Sequence, residues 1–158
     1  MSPRAMLRGM VVVGGLAALA AVGCATTSPK MSSGEAIEKR KALMKEQGAA
    51  MRAIQDKLKA GQAQAIAPEA RKLAETAKAI PALFPQGSLD PKTSRAKPEI
   101  WQKWDAFASH AKTLETKATQ LAASAPSATP QATGAAVADL GKTTCGACHD
   151  AFRGPEIK

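Results

Sequence analysis

The sequence predicts an all-α fold of four helices around a shared core, and three observations lead there. Among its 158 residues Tyr is absent while Ala, Lys, Gln and Glu abound, a composition that favours helices over strands. Apolar residues recur at three- and four-residue spacing in four separate stretches. Clusters of Pro, Gly and Ser stand between those stretches, where the chain must turn.

The first residues are set aside before helices are assigned. Arg4 and Arg8 precede an uncharged run from Gly9 to Pro29, whose apolar core, Met10 to Val22, is too short for a comfortable membrane span. Residues 1–23 therefore read as a secretory signal peptide. Ala21-Val22-Gly23-Cys24 is similar to the lipobox of bacterial lipoproteins, which makes Cys24 a lipid anchor and tethers the protein to the outer membrane, facing the periplasm. Ordinary cleavage nearby, for example after Ala25, is the alternative. Either reading exports the chain, and lipidation also accounts for the one cysteine outside the motif described below.

From Cys24 onward the chain keeps 20 of its 22 basic residues and all 13 acidic ones, a net +7. The positive residues are spread along the chain and form no nucleic-acid tract; a mildly basic surface of this kind identifies no partner by itself. Nucleic acid is not an expected partner.

Residues 24–33, rich in Thr, Ser and Pro, read as a flexible tether to a domain spanning 34–158. The first helix begins near Gly34, where Ile37, Met44, Met51 and Leu58 recur every seven residues among charged neighbours. The second runs from about Pro68 to Ile80, with Leu73, Ala77 and Ile80 inward and Pro81 limiting it. Pro81 to Lys97 reads as a long irregular connection, in which Leu83, Phe84 and Leu89 cover one end of the core. The third helix starts near Pro98 and carries Ile100, Trp104, Phe107, Ala111, Leu114, Ala118 and Leu121 on one face, ending at Ser124 to Pro126. Ser124 to Gly134 is low-complexity connection. The fourth helix spans about Ala135 to Phe152, with Gly141 and Gly146 lowering its intrinsic helicity by about 1 kcal/mol each relative to alanine. Four helices with a shared core are the economical arrangement.

Cys145-Gly146-Ala147-Cys148-His149 is the chemically decisive run. Two thiols can form thioethers with haem vinyl groups and the adjacent imidazole can ligate iron, in a compartment where c-type haem is attached. On a regular helix Cys145 and Cys148 lie about 300° apart around the axis and His149 about 100° further, so one macrocycle can meet all three. A thioredoxin-like motif would open a helix after a strand, and zinc would need a fourth ligand. With two Trp and three Phe in the chain, haem would supply much of the central packing, and the apoprotein should be unstable.

Iron then has a second axial position. Thioethers suit it, and the mature chain offers Met31, Met44 and Met51. Met31 falls in the tether. Met44 and Met51 share the buried stripe about 10.5 Å apart along the helix and cannot occupy the same position. Residue chemistry leaves both open. Both could equally be core packing. His110, three residues after Phe107, reads as a surface or hydrogen-bonding side chain.

The four helices and terminal motif together resemble the cytochrome c-prime family, the class II c-type cytochromes. The resemblance is carried by Arg40-Lys41-Ala42-Leu43-Met44-Lys45, Ile80-Pro81-Ala82-Leu83-Phe84-Pro85, Lys97-Pro98-Glu99-Ile100-Trp101 and Cys145-x-x-Cys-His149-x-x-Phe152-Arg153. It implies an antiparallel four-helix bundle with one haem c attached through Cys145 and Cys148, and His149 as proximal ligand. Met44 matches the first-helix methionine of the low-spin branch, so the resemblance implies His149 and Met44 as metal ligands. Arg153 matches a basic residue after the haem motif, near a propionate or the proximal surface, and Arg40 one near the propionate edge. Both could instead be solvated charges. Trp101 is expected to pack against the bundle or the connection.

The function this implies is one-electron transfer with periplasmic or membrane-bound redox proteins, with no catalytic residues, by a periplasmic monomer or homodimer. The alternative is a five-coordinate or ligand-displaceable haem binding nitric oxide or carbon monoxide. A structural envelope lipoprotein would leave the haem motif accidental.

Overall fold

The computed structural model describes residues 31–157. The segment expected to be a signal peptide, Cys24 and the part of the expected tether before Met31 lie outside the described residues. Helix α1 (Ser33–Lys59) carries the heptad stripe and starts where the Ser32 hydroxyl accepts the Glu35 N–H at 3.2 Å. It stops at Ala60 and Gly61, whose φ of +73° is the left-handed conformation a glycine adopts without penalty.

A single 3₁₀ turn, Ala63–Ile66, leads into α2 (Ala67–Ala79), with Pro68 in its first turn. The connection that follows is irregular as its composition predicts, with a turn at Gly87 (φ +78°). Beyond it the expected third helix is broken. A short α3 (Glu99–Gln102) ends at Lys103, whose φ and ψ of −124° and 48° leave the helical region, and α4 (Trp104–Ser124) restarts at once. At the break the Trp101 indole N–H donates to the Phe84 and Pro85 carbonyls, while Trp104 stays on the long helix.

The fourth helix begins five residues earlier than expected. Thr129 accepts the Ala132 N–H at 3.2 Å and Pro130 occupies the first turn, so α5 spans Pro130–Leu140. The low-complexity composition had masked a threonine-proline helix start. A π-helical stretch, Gly141–Gly146, joins α5 to α6 (Ala147–Phe152).

These elements make an antiparallel four-helix bundle in which α2 packs most extensively on α4 and next on α1. The fully buried layer mixes Ile54, Ile66, Leu73 and Leu140 with Ala70, Ala77 and Ala118, and the small residues let the helices approach closely. All five aromatic residues gather at one end. There Phe84 and Phe107 meet edge-to-face at 4.7 Å, Phe107 and Phe152 at 5.5 Å, with Trp101 tilted against Phe84 and Trp104 against Phe107.

The opposite end is fastened by an ion pair. Lys57 Nζ lies 2.7 Å from both Glu69 carboxylate oxygens and 2.8 Å from the Ala65 carbonyl. Burial raises the Glu69 pKa, but Lys57 and the residue's own N–H outweigh it and hold the carboxyl below its ordinary value. The pair therefore stabilises the fold above the unfolded-state pKa, and that contribution is lost as pH falls through the folded-state value. Glu69→Gln is expected to cost about 1 kcal/mol at pH 7 and almost nothing at a pH low enough to protonate the carboxyl in the folded state, read by thermal unfolding of the full chain. Equal losses at both pH values would contradict it.

Candidate cofactor site

A cavity of about 610 Å³ lies at the aromatic end, between α1, α2, α4 and the Cys145–Arg153 segment. Its size is that of a ligand pocket, and most of its wall is apolar. The heptad stripe supplies one side. Ile37, Met44 and Met51 line it together with Gln47 and Gly48 from the same helix, as spacing by threes and fours requires. Phe107, Ala111 and Leu114 of α4 form another side, and Cys145, Cys148, His149 and Phe152 complete the enclosure.

The haem motif does not sit on one regular helix. Cys145 belongs to the π-helical stretch and Cys148 and His149 to α6, so the 300° spacing expected from an uninterrupted α-helix does not apply. The wider turn is secured from within. The Ala147 N–H reaches back to the Lys142 carbonyl, and the buried Thr144 hydroxyl donates to the carbonyl of Leu140. Both cysteines are free thiols and half-buried. Burial, helped by the neighbouring Cys145, pushes the Cys148 thiol up to about 11. Burial is also the largest cause lowering the His149 pKa; the charges of Arg153 and Arg95 add to it and Asp150 opposes it. The imidazole is thus biased towards the neutral form that binds metals.

Arg40 lies in the cavity wall and is 5% exposed, not on the solvated face that its lysine-rich surroundings suggest. Its Nε donates to the Ala36 carbonyl, one terminal nitrogen donates to the Ser88 carbonyl, and the guanidinium stands 4.4 Å from the Phe84 ring centre. Burial lowers its pKa. The remaining nitrogen, Nη1, is buried without any partner, which is costly for a charged donor unless an acceptor completes the site. A haem propionate is such an acceptor. Two thiols, one neutral imidazole, an apolar wall and a spare cationic donor fit a covalently held haem.

The other sequence-derived residues divide as follows. Met44 and Met51 both line the cavity, whereas Met31 does not. Arg153 borders the cavity but is solvent-exposed, in the extended segment after α6. His110 is not a free surface group. It is half-buried on the cavity wall, 5.8 Å from the Phe152 ring and edge-on to it. Trp101 packs on the connection as expected. Arg95, which sequence reasoning did not single out, also borders the cavity. It stands in a stretch without periodicity, so only its charge could have drawn attention to it.

Comparison with known proteins places this geometry. The family described as Cytochrome C' matches residues 35–153. The chain is 33% identical to the cytochrome c' of Rhodospirillum rubrum over 150 residues, covering 94% of this chain and 99% of that protein. It is 38% identical to the cytochrome c-556 of Agrobacterium tumefaciens over 120 residues, covering 74% and 95% respectively. Among solved structures it is similar to cytochrome c' from Thermochromatium tepidum, at 31% identity and a TM-score of 0.68, covering 80% of this chain and 100% of that one.

Proposed function

The chain belongs to the cytochrome c' family, with one covalently attached haem c, and from that premise we propose that it is a one-electron carrier in which His149 and Met44 would hold the iron. The observation that carries this reading is the presence of Met44 on the α1 wall of the cavity that also holds Cys145, Cys148 and His149. Cys145 and Cys148 would hold the haem by thioether bonds. Once bound, it supplies Fe(III)/Fe(II) chemistry.

The protein's part is to fix and tune. Met44 is mounted on a helix of 27 residues, so its thioether can keep one position in both oxidation states. Phe84, Phe107 and Phe152 keep water from the cavity wall, and the buried positive charge of Arg40 favours the reduced state. Arg153 adds a positive charge on the His149 side. In this reading residues 1–23 direct export to the periplasm, Cys24 anchors the protein by lipid to the outer membrane, and residues 24–33 tether the cytochrome domain. Electrons pass to and from periplasmic or membrane-bound redox proteins, with no enzymatic turnover. Pairing as a homodimer is compatible with it; one solved cytochrome c', 26% identical to this chain, shows a ligand-controlled dimer dissociation.

A second reading is binding of nitric oxide or carbon monoxide after displacement of Met44. It is favoured by the extent of the cavity along α1, past Met44 to Gln47, Gly48 and Met51. Exposure of the reduced protein to carbon monoxide separates the two, since only a displaceable Met44 gives way to it, and the oxidised visible spectrum tests methionine ligation itself. The wild type is expected to show the weak long-wavelength charge-transfer band of an iron–thioether bond. Met44→Ala should abolish it and lower the potential on the order of 0.1 V, within the ~0.8 V range that axial ligands command. Met51→Ala should leave both unchanged. A high-spin wild-type spectrum would defeat methionine ligation, and loss of the band in Met51→Ala alone would move the ligand two turns along α1.

A further inference from the structure

Helix α6 carries Cys148 and His149 and forms the last six residues of a helical run that starts at Pro130 and passes through the π-helical stretch. Helix ends fray unless they are tied down, so the order of this last turn must come from tertiary contacts. Those contacts come from a segment about sixty positions earlier in the chain. The Lys97 N–H donates to the Phe152 carbonyl at 3.0 Å, the Gly154 N–H to the Arg95 carbonyl at 2.6 Å, and Ala96 and Arg153 form an antiparallel bridge. Lys97 Nζ caps the last turn through the Asp150 and Ala151 carbonyls, each at 3.2 Å.

Arg95 does more than lend its backbone. Its Nε donates to the Gly154 carbonyl at 2.9 Å, so one residue grips both polar groups of Gly154. The fit is close: a Cβ at Gly154 would stand 3.3 Å from the Arg95 carbonyl oxygen. Arg95 lines the cavity, and its one ion-pair partner among the described residues, Glu156, is 3.8 Å away and almost fully exposed. An ion pair of that kind neutralises little of its charge.

We propose that Arg95 is a positioning residue of the haem site: it clasps the segment following the haem helix and, with Arg153, sets two positive charges on the His149 side of the cavity. The clasp keeps α6, and with it His149, from fraying. The charges oppose a further positive charge at that face and so favour ferrous over ferric iron. The inference deepens the electron-carrier reading and needs haem held at Cys145, Cys148 and His149.

The test uses the full-length haem-loaded protein with Arg95→Lys, which keeps the charge, and Arg95→Gln, which removes it. Both lose the Nε bond, so amide exchange at Gly154 is expected to rise at least about tenfold in each. Only Arg95→Gln should alter the redox balance, shifting the Fe(III)/Fe(II) ratio at fixed poise about fivefold towards ferric, about 40 mV at 59 mV per tenfold. An unaltered potential in Arg95→Gln, or equal shifts in both variants, would overturn the charge role. Unchanged protection of Gly154 in both would overturn the clasp. Failure of methionine ligation is distinguishable, because it shows in the wild-type spectrum before any substitution at Arg95.

Discussion

Cys145→Ala/Cys148→Ala, purified without haem, is expected to lose the cooperative thermal transition of the holoprotein. Core truncations cost about 24 cal/mol per Å³ of cavity they leave. On that scale a cavity of about 610 Å³ corresponds to a ceiling on the order of 15 kcal/mol, reduced to whatever extent water enters and the helices close in. A third of that, about 5 kcal/mol, already equals the whole net stability of a marginal small domain. The loss falls on a particular end of the molecule. Phe84, Phe107 and Phe152 all line the cavity, and Trp101 and Trp104 pack on them, so every aromatic contact there depends on what fills the space. The Ala-rich layer around Ile54 and Ile66 lies apart from it and should keep helical secondary structure. Circular dichroism should thus show residual helix with a broad melt, accompanied by binding of a hydrophobic dye. A sharp transition within a few degrees of the holoprotein's would refute the prediction.

Arg40→Leu should have the next largest effect, about 3 kcal/mol of holoprotein stability. Three contributions add to it. The Ser88 carbonyl, in a residue with no exposure, loses its donor, which costs about 1–2 kcal/mol. The stacking of the guanidinium on Phe84 is lost, worth about 1 kcal/mol. A propionate partner would be left in a poorly solvated place without its countercharge. Arg40→Lys retains the charge but not the planar fork that reaches Ala36, Ser88 and the cavity together, so it should lose about half as much. Denaturant midpoints of the haem-loaded proteins measure both. Equal losses in the two variants would show that the hydrogen bonds and stacking of the planar fork, and not its charge, give Arg40 its importance. The potential provides an independent check: it should fall in Arg40→Leu and hold in Arg40→Lys.

Features written in residue chemistry were legible before any coordinates. Cys-x-x-Cys-His states its cofactor, and the seven-residue recurrence of Ile37, Met44 and Met51 marks a helix face whichever partner covers it. Features set by long-range contacts were not. Arg40 stands out only by resemblance to a family position; its own helix pattern shows one more charge among lysines, because its burial depends on Ser88 and Phe84, more than forty residues away. The break at Lys103 leaves no glycine or proline to announce it. His110 seemed peripheral because its neighbour, Phe152, belongs to another helix. The start of α5 was readable in principle: Thr129-Pro130 is a cap followed by a first-turn proline, but it lay inside a run of small residues that also suits a loop. Arg95 shows the same limit most plainly, since a clasp exists only once residues 95 and 154 are neighbours.

The π-helical stretch before the second cysteine has a bearing on how this protein can change over time. A π-turn is a helix that has absorbed one extra residue while keeping both ends in place. Val137 and Leu140 on one side of it face the bundle core, and Cys148 and His149 on the other border the cavity. Winding the stretch into a regular α-helix with the same number of residues would rotate one group against the other by about 100°. The bulge therefore works as a phase shift, reconciling a hydrophobic repeat chosen for helix packing with a haem-binding motif whose spacing is dictated by the macrocycle. Lineages of this chain should be able to lose Lys142 or Thr143 singly, closing the bulge with both groups still in phase, but not to regularise the helix at constant length.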